Sequence, residues 1–182
     1  PDFSYSADDL MTYFADKDIQ SLLLINPDNP TGNYIPYADC LRLADWCQQQ
    51  NILFVLDESF IDFSVEHPTF FKDDILEQYS NLVVIKSISK SYGVPSLRLG
   101  ILATSNVDIM TVIRRSVSIW NINSFAEFFF LILGKYEASY QQAMDEFRAE
   151  RARFVDELHK IGFLRVLPSE ANYLLCEVKQ PH

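Results

Sequence analysis

Hydrophobic and polar positions alternate along this chain in blocks that predict strands and helices in turn. Short apolar runs bounded by turn-forming residues predict buried strands at 21–25, 52–56, 81–85 and 99–103. Between them, Tyr37–Gln50 has apolar residues at helical spacing, with Leu41, Ala44, Trp46 and Cys47 on an inner face. Alternating strands and helices are typical of an α/β domain with a mostly parallel sheet. Continuous apolar runs such as 52–56 are expected of parallel strands that are covered on both faces.

The remaining blocks predict further helices and a change of architecture near the C-terminus. We predict helices over 6–14 with Ser6 as N-cap, over 73–79 and 106–116, and after a capping Ser124. A long charged helix over 140–161 then leads to two short strands, 163–167 and 171–178. We therefore predict a boundary between 1–135, an α/β unit, and 136–182, a linking helix with the start of an α+β unit.

Polar residues follow three of the predicted strands. The turn 26–32 (Asn-Pro-Asp-Asn-Pro-Thr-Gly) follows the first strand, Asp57-Glu58-Ser59-Phe60 follows the second, and a predicted loop, 86–92, follows the third. Ligands of open α/β sheets bind at the carboxyl ends of the strands. We therefore expect these polar residues to converge on one site.

The third strand and its loop carry groups that suit an aldehyde with a phosphate. A lysine such as Lys90 can form a Schiff base with a carbonyl group. The hydroxyls of Ser87 and Ser89 can bind a phosphate, and Arg98 can bind it with two parallel hydrogen bonds. This combination fits pyridoxal phosphate. The alternative is that Lys90 is a solvated loop lysine and Arg98 belongs to a surface ion pair.

Taken together, the motifs resemble those of a known enzyme family. Asn-Pro-x-Asn-Pro-Thr-Gly, Asp-Glu-x-(Tyr/Phe), Ser-x-Ser-Lys and an arginine eight residues after the lysine occur here in order. This pattern is similar to that of fold-type I, pyridoxal-phosphate-dependent aminotransferases of class I/II, in particular the histidinol-phosphate aminotransferase and threonine-phosphate decarboxylase group. The resemblance covers nearly the whole chain. It implies a three-layer α/β large domain with a mostly parallel sheet, followed by the start of an α+β small domain.

The resemblance also implies roles for individual residues. Lys90 would be the catalytic Schiff-base residue, and Asp57 would pair with the pyridinium nitrogen of the cofactor. Asn29 would bond the ring hydroxyl, with a cis Asn29–Pro30 peptide bond fixing its direction.

Other residues near the lysine complete this set of expectations. Ser87, Ser89 and Arg98 would hold the cofactor phosphate. We expect Lys86 to be solvated rather than a ligand, and the role of Tyr92 stays open.

Phe60 departs from the family pattern. Most members have tyrosine there, and its hydroxyl bonds the cofactor. The decarboxylase branch accepts phenylalanine in this motif, which is followed here by Ile61-Asp62-Phe63. Three interpretations follow: an aminotransferase for an amino acid or amino-phosphate, a decarboxylase of the threonine-phosphate decarboxylase type, or a noncatalytic truncated module.

Composition narrows the partners and the compartment. The formal net charge of −10 disfavours binding to nucleic acid or an anionic membrane surface. No apolar run reaches the roughly 18 residues that a membrane span needs, and the N-terminus lacks a signal-peptide pattern. Three cysteines without metal-site spacing favour reduced thiols in the cytoplasm. Because family members are about twice as long and form homodimers with shared active sites, we expect a fragment of a homodimeric enzyme that acts on small amino and keto acids.

Overall fold

The computed structural model describes residues 2–179. Six strands occur in these residues: β1 (Ser21–Ile25), β2 (Leu53–Asp57), β3 (Leu82–Ser87), β4 (Gly100–Ala103), β5 (Leu164–Val166) and β6 (Cys176–Val178). The helices are α1 (Ala7–Phe14), α2 (Tyr37–Gln49), α3 (Asp73–Gln78), α4 (Ile88–Ser91), α5 (Val107–Ser116), α6 (Ser124–Leu133) and α7 (Glu137–His159). Short 3₁₀ helices cover Ile61–Phe63, Pro95–Leu97 and Gly134–Tyr136. None of the helices described is long and apolar enough to cross a membrane.

The first four strands form one sheet in the order β1-β2-β3-β4. Its first three strands are parallel, and β4 runs antiparallel to β3. This arrangement confirms the predicted α/β class and the mostly parallel sheet. The last two strands, β5 and β6, form a separate antiparallel pair.

One face of the four-stranded sheet carries the main hydrophobic core. Helices α1, α2 and α3 cover it, and alternate residues of the parallel strands are buried there: Leu22, Leu24, Phe54, Leu56, Leu82 and Val84. Right-handed crossovers between strands in sequential order place α2 and α3 on the same side. On the other face, Leu23 is 61% exposed and Val55 is half-buried. The expectation that β2 is covered on both faces is therefore not met by the described residues.

Several element boundaries differ from the sequence-based expectations. The segment 86–92 is not a loop, because pairing with Ile101 and Gly100 of β4 extends β3 through Lys86 and Ser87, and α4 follows at once. Asn123, rather than Ser124, caps α6 by accepting from the Ala126 amide at 3.0 Å. By contrast, Ser6 caps α1 as predicted, within a capping box.

The C-terminal elements are joined to the first sheet by α7. Arg151 of this helix donates to the carbonyl oxygens of Phe63 and Ala171, at 2.9 and 2.8 Å. The strand expected over 171–178 is confined to β6, because only the Leu175 carbonyl pairs before it, with the Leu167 amide, and the Tyr173 side chain bonds to Asp28 beside the first sheet. This segment brings Tyr173 close to the carboxyl edge of β1.

Candidate active site

Asp57 stands at the carboxyl edge of the parallel sheet. It is the last residue of β2, in register with Ile25 of β1 and Ile85 of β3. Its Oδ1 accepts a hydrogen bond from the Ser59 amide at 2.8 Å, and the residue is half-buried. The sheet therefore fixes one carboxylate at its centre, beside the ends of both neighbouring strands.

A cavity of about 450 Å³ opens beside this carboxylate. Its polar lining consists of Asp57, Ser59, Lys86, Ser87, Ser89 and Arg98, and residues of β4 supply its apolar wall. Four of the six predicted site residues thus border one space. A carboxylate suits a protonated ring nitrogen, while hydroxyls and a guanidinium suit a phosphate. This donor set fits pyridoxal phosphate.

Lys90 lies on α4, immediately after the cavity-lining Ser89. The strand-to-helix transition is held by main-chain contacts: the Ser87 amide donates to Ser59 Oγ at 2.9 Å, and the Ile88 amide donates to the Leu99 carbonyl at 3.1 Å. As a result, α4 buries Ser89 and exposes Lys90. The Lys90 ammonium lies 5.6 Å from the centre of the Phe60 ring and forms no ion pair among residues 2–179.

Arg98 occupies an unusual backbone conformation. It has φ 57° and ψ 44°, the left-handed region, at the end of the 3₁₀ helix Pro95–Leu97. Its Nη1 donates to the Pro95 carbonyl oxygen at 3.1 Å, and the side chain is exposed. Non-glycine residues rarely adopt this conformation, and they do so most often at binding or catalytic sites. The conformation therefore indicates that Arg98 is a candidate ligand-binding residue.

Asn29 lies on the turn that follows β1, outside the residues that line the cavity. The Asn29–Pro30 bond is cis, as the resemblance implied, and so is Asn26–Pro27. The turn is closed by the Gly32 amide, which donates to the Asp28 carbonyl at 2.8 Å. The Asn29 side chain is exposed at the same edge of the sheet as Asp57.

Tyr173 is a site residue that the sequence did not reveal. Its hydroxyl donates to the Asp28 carbonyl oxygen at 2.7 Å, and its ring meets the Phe60 ring edge-on at 5.2 Å. Burial raises the pKa of Tyr173 to about 12, with smaller contributions from Asp28 and Asp57. No local signal marked it, because its segment has the apolar pattern of a strand. Through these two contacts, Tyr173 connects the turn that carries Asn29 with Phe60.

Glu58 has a structural role beside Asp57. It is 2% exposed and accepts hydrogen bonds from the Phe70 amide at 2.8 Å and from the Thr69 hydroxyl. Burial raises its pKa, whereas these two hydrogen bonds act in the opposite direction. Of the two acids in the Asp-Glu motif, Glu58 therefore anchors the following loop, and Asp57 is the one that borders the cavity.

The expectation that Lys86 is solvated is wrong. Its Nζ lies 2.6 Å from Asp62 Oδ1, and the two side chains are only 15% and 16% exposed. The second oxygen of Asp62 accepts from the Tyr140 hydroxyl at 2.7 Å. Lys86 lies near the end of β3, and Asp62 lies in the 3₁₀ helix that follows the neighbouring strand β2. No local pattern in the sequence indicates their pairing.

Comparison with known proteins decides the family. A family model described as "Aminotransferase class I and II" matches residues 1–182. The chain belongs to the class I and II aminotransferase family. This membership confirms the resemblance, and pyridoxal 5′-phosphate is the cofactor of the family.

Individual relatives of this aminotransferase-family chain have more than one activity. Threonine-phosphate decarboxylase from Salmonella typhimurium is 37% identical over 163 residues, which are 88% of this chain and 44% of that protein. Histidinol-phosphate aminotransferase 3 from Mesorhizobium japonicum is 34% identical over 162 residues, 89% of this chain and 42% of that protein.

A solved structure of a decarboxylase from Sulfurospirillum multivorans superposes with a TM-score of 0.84 at 27% identity. The superposition covers 98% of this chain and 51% of that one. The chain thus spans about half the length of the relatives that it matches.

Proposed function

We propose that the full-length protein containing this chain is a pyridoxal-phosphate-dependent aminotransferase that acts on an amino acid or amino-phosphate through a Schiff base at Lys90. The observation that carries the proposal is the cavity at the carboxyl edge of the sheet. Asp57, Ser87, Ser89 and Arg98 line it together, and Lys90 follows on the same helix as Ser89.

Each of these residues has a role that its chemistry supports. When bound, pyridoxal phosphate supplies an aldehyde for amines and a protonated ring that accepts electron density from the substrate α-carbon. Asp57 favours the proton on the ring nitrogen, because a nearby carboxylate stabilises the charged form. Ser87, Ser89 and Arg98 bind the phosphate. The two remaining residues, Asn29 and Lys90, are assigned to the ring hydroxyl of the cofactor and to the α-proton of the substrate.

Asn29 and Lys90 complete the proposed machinery. With the cofactor bound, the Asn29 amide would donate to the ring hydroxyl from the turn after β1. The amine of Lys90 would move the substrate α-proton as general base and acid. Among the residues that the structure describes, no carboxylate forms an ion pair with Lys90, so its amine is available for this step.

Decarboxylation of an amino acid or amino-phosphate is the second candidate function. Phe60 favours it, because its ring, which contacts Tyr173 and faces Lys90, brings no hydroxyl to the site. Both reactions use Asp57 and Lys90, and they differ in which bond of the α-carbon is broken. A noncatalytic module is the third candidate, and the set of six site residues argues against it.

We propose that the active protein is a homodimer. Helix α6 presents Phe125, Phe128 and Leu131 at spacings of three residues, and these side chains are 79%, 61% and 80% exposed. A row of exposed apolar residues on one helix face marks an interaction surface. A second copy is the partner that family membership favours.

The remaining proposals concern domains and compartment. We place the boundary between the partial cofactor-binding domain (1–135) and the linking helix with the start of the small domain (136–182) inside the 3₁₀ helix Gly134–Tyr136. The cytoplasm is the proposed compartment, in keeping with the free cysteines.

An absorbance titration of the full-length protein with pyridoxal phosphate tests the function. We expect the visible band of a lysine-bound cofactor in the wild type and in Lys72→Ala, a control at an exposed lysine, but not in Lys90→Ala. Amino acids and phosphorylated amino acids are then added, and keto acid and CO₂ are measured. Keto acid supports the aminotransferase, and CO₂ supports the decarboxylase. A band that persists in Lys90→Ala would refute the assignment of Lys90.

A further inference from the structure

Two lysines border the candidate cofactor cavity. Lys86 is one of its lining residues, and Lys90 follows Ser89, another lining residue, on α4. Only a neutral amine has the lone pair that attacks an aldehyde. An amine that is held as an ammonium ion cannot react. The surroundings of the two amines therefore determine which of them the cofactor can meet.

The surroundings of the Lys86 and Lys90 amines differ. Lys86 forms a 2.6 Å ion pair with Asp62, and both side chains are about five-sixths buried. Separating a buried ion pair would leave an uncompensated charge away from water, which is strongly unfavourable. Lys90 is exposed and has no carboxylate partner within residues 2–179. Its nearest aromatic neighbour, Phe60, is an apolar ring.

Asp62 is held in place from the side of α7. The Tyr140 hydroxyl donates to Asp62 Oδ2 at 2.7 Å, and Arg148 Nη1 donates to the Asp62 carbonyl oxygen at 2.8 Å. The Tyr140 ring stacks on Tyr92 with centres 4.0 Å apart and an angle of 8°. The carboxylate and its backbone are therefore held in part from α7, a helix that carries neither lysine.

The charge state of Asp62 agrees with this arrangement. Burial acts to raise its pKa, but Lys86, together with Ser91 and Tyr140, lowers the pKa by more, so that the result lies below the ordinary value. The other titratable or charged groups around the pair are Glu58, Tyr92, Tyr140 and Arg148. Asp62 is thus a carboxylate at neutral pH and stabilises the ammonium form of Lys86.

We propose that Asp62 is a positioning residue that determines which lysine forms the Schiff base: it holds the Lys86 amine in a buried ion pair and leaves the amine of Lys90 to react with the aldehyde. This inference rests on the proposed function. In the reaction, the amine nitrogen of Lys90 bonds to the aldehyde carbon. The carbonyl oxygen leaves as water with the two amine protons, so no oxidant or reductant is needed.

Borohydride trapping in the full-length protein tests the proposal. Each protein is incubated with pyridoxal phosphate and reduced with borohydride, which converts the C=N bond into a stable secondary amine. The modified lysine is then located by peptide mass spectrometry. The proteins are the wild type, Lys90→Ala, Lys90→Ala/Asp62→Asn and the control Lys90→Ala/Glu150→Gln. Glu150 is an exposed carboxylate of α7 that pairs with the equally exposed Arg153.

We expect the wild-type adduct on Lys90 and little adduct at Lys86 in Lys90→Ala. In Lys90→Ala/Asp62→Asn, the Lys86 adduct should rise severalfold, because the Lys86 amine loses the carboxylate that holds it in a buried ion pair. The amide of asparagine can still accept from Tyr140, so this contact is kept. The Glu150→Gln control should match Lys90→Ala.

The outcomes distinguish the proposed role of Asp62 from the proposed function of the protein. A wild-type adduct on Lys90 without any increase at Lys86 in the Asp62→Asn variant overturns the role of Asp62 and leaves the function intact. A wild-type adduct on Lys86, or none at all, overturns both.

A second measurement needs no variant of Asp62 and covers the case in which that variant fails to fold. The cofactor-free wild type is methylated with formaldehyde and borohydride over a series of pH values. A Lys86 amine that is engaged by Asp62 is less available to formaldehyde than the exposed Lys90 amine. We expect slower methylation of Lys86 than of Lys90 across the series. Equal rates would overturn the proposal.

Discussion

The helix-covered face of the sheet and the surface of α6 are both apolar, but the first is buried and the second is exposed. Beneath α1–α3, residues such as Phe54, Leu82 and Val84 have no exposed surface. On α6, Phe125 and Phe128 are largely exposed, although their helix is more apolar than any other in the chain. The described residues bury the first region fully. They leave the apolar surface of α6 uncovered, so hydrophobicity alone does not reveal which surface a residue packs against.

Truncating the core should produce the largest effect. Phe54→Ala is expected to lower the free energy of unfolding by about 3–5 kcal/mol, because it removes a fully buried ring and leaves a cavity. Phe128→Ala, the matched change on α6, should shift the free energy of unfolding of the monomer by no more than about 0.5 kcal/mol. Urea titrations of the full-length protein, at a concentration that favours monomers, measure both. Equal losses would contradict the distinction between the two regions.

A substitution at Gly32 tests the contact between the turn 26–32 and the C-terminal segment. Gly32 has φ +77°, and an added Cβ would overlap the Ser169 side chain. Gly32→Ala should therefore cost about 2–4 kcal/mol, from the left-handed backbone and the steric overlap together.

Gly93→Ala is the control for that substitution. Gly93 also has a positive φ, +64°, but no atom lies within 4 Å of its added Cβ. Its loss should be about 1 kcal/mol, from the backbone alone. If urea titration gives the same loss for both variants, the contact with Ser169 does not contribute to stability.

A charge on α6 tests whether its apolar surface is an interface. Phe128→Asp should weaken the dimer of the full-length protein by about thirtyfold, the effect of losing a buried interface residue worth about 2 kcal/mol. Tyr13→Asp makes a comparable change on α1, where the ring is also exposed, and should leave the dissociation constant unchanged. Analytical ultracentrifugation measures both variants. A dimer that tolerates Phe128→Asp would place the interface elsewhere.

The smallest effect should appear in the reactivity of the thiols. Burial raises the pKa of Cys40 and of Cys47 to about 12, so both stay protonated at pH 8 and react slowly with iodoacetamide. Cys176 lies outside the core, is partly exposed and should be alkylated first. Timed labelling with mass spectrometry gives the order. Early modification of Cys40 or Cys47 would show that the core opens readily under native conditions.

The sequence by itself determined the four strands of the main sheet to within two residues, the family motifs and four of the residues that border the cavity. Apolar runs and turn residues act over a few positions, so β1 was predicted with its observed bounds. Asp57 ends β2, Ser87 ends β3, and Ser89 and Arg98 come after it. The parallel strands β2 and β3 must end at the same edge of the sheet, and for that reason the convergence of these residues could be expected.

Only the tertiary structure decided which distant residues meet and which faces are covered. Lys86 pairs with Asp62, 24 residues away, and Tyr140 reaches the same carboxylate across 78 residues. Tyr173 bonds to Asp28 across 145 residues. Such contacts depend on how α7 and the C-terminal segment cross the sheet, and periodicity carries no information about that crossing. One-sided burial of the sheet likewise follows from the handedness of its crossovers and not from the composition of its strands.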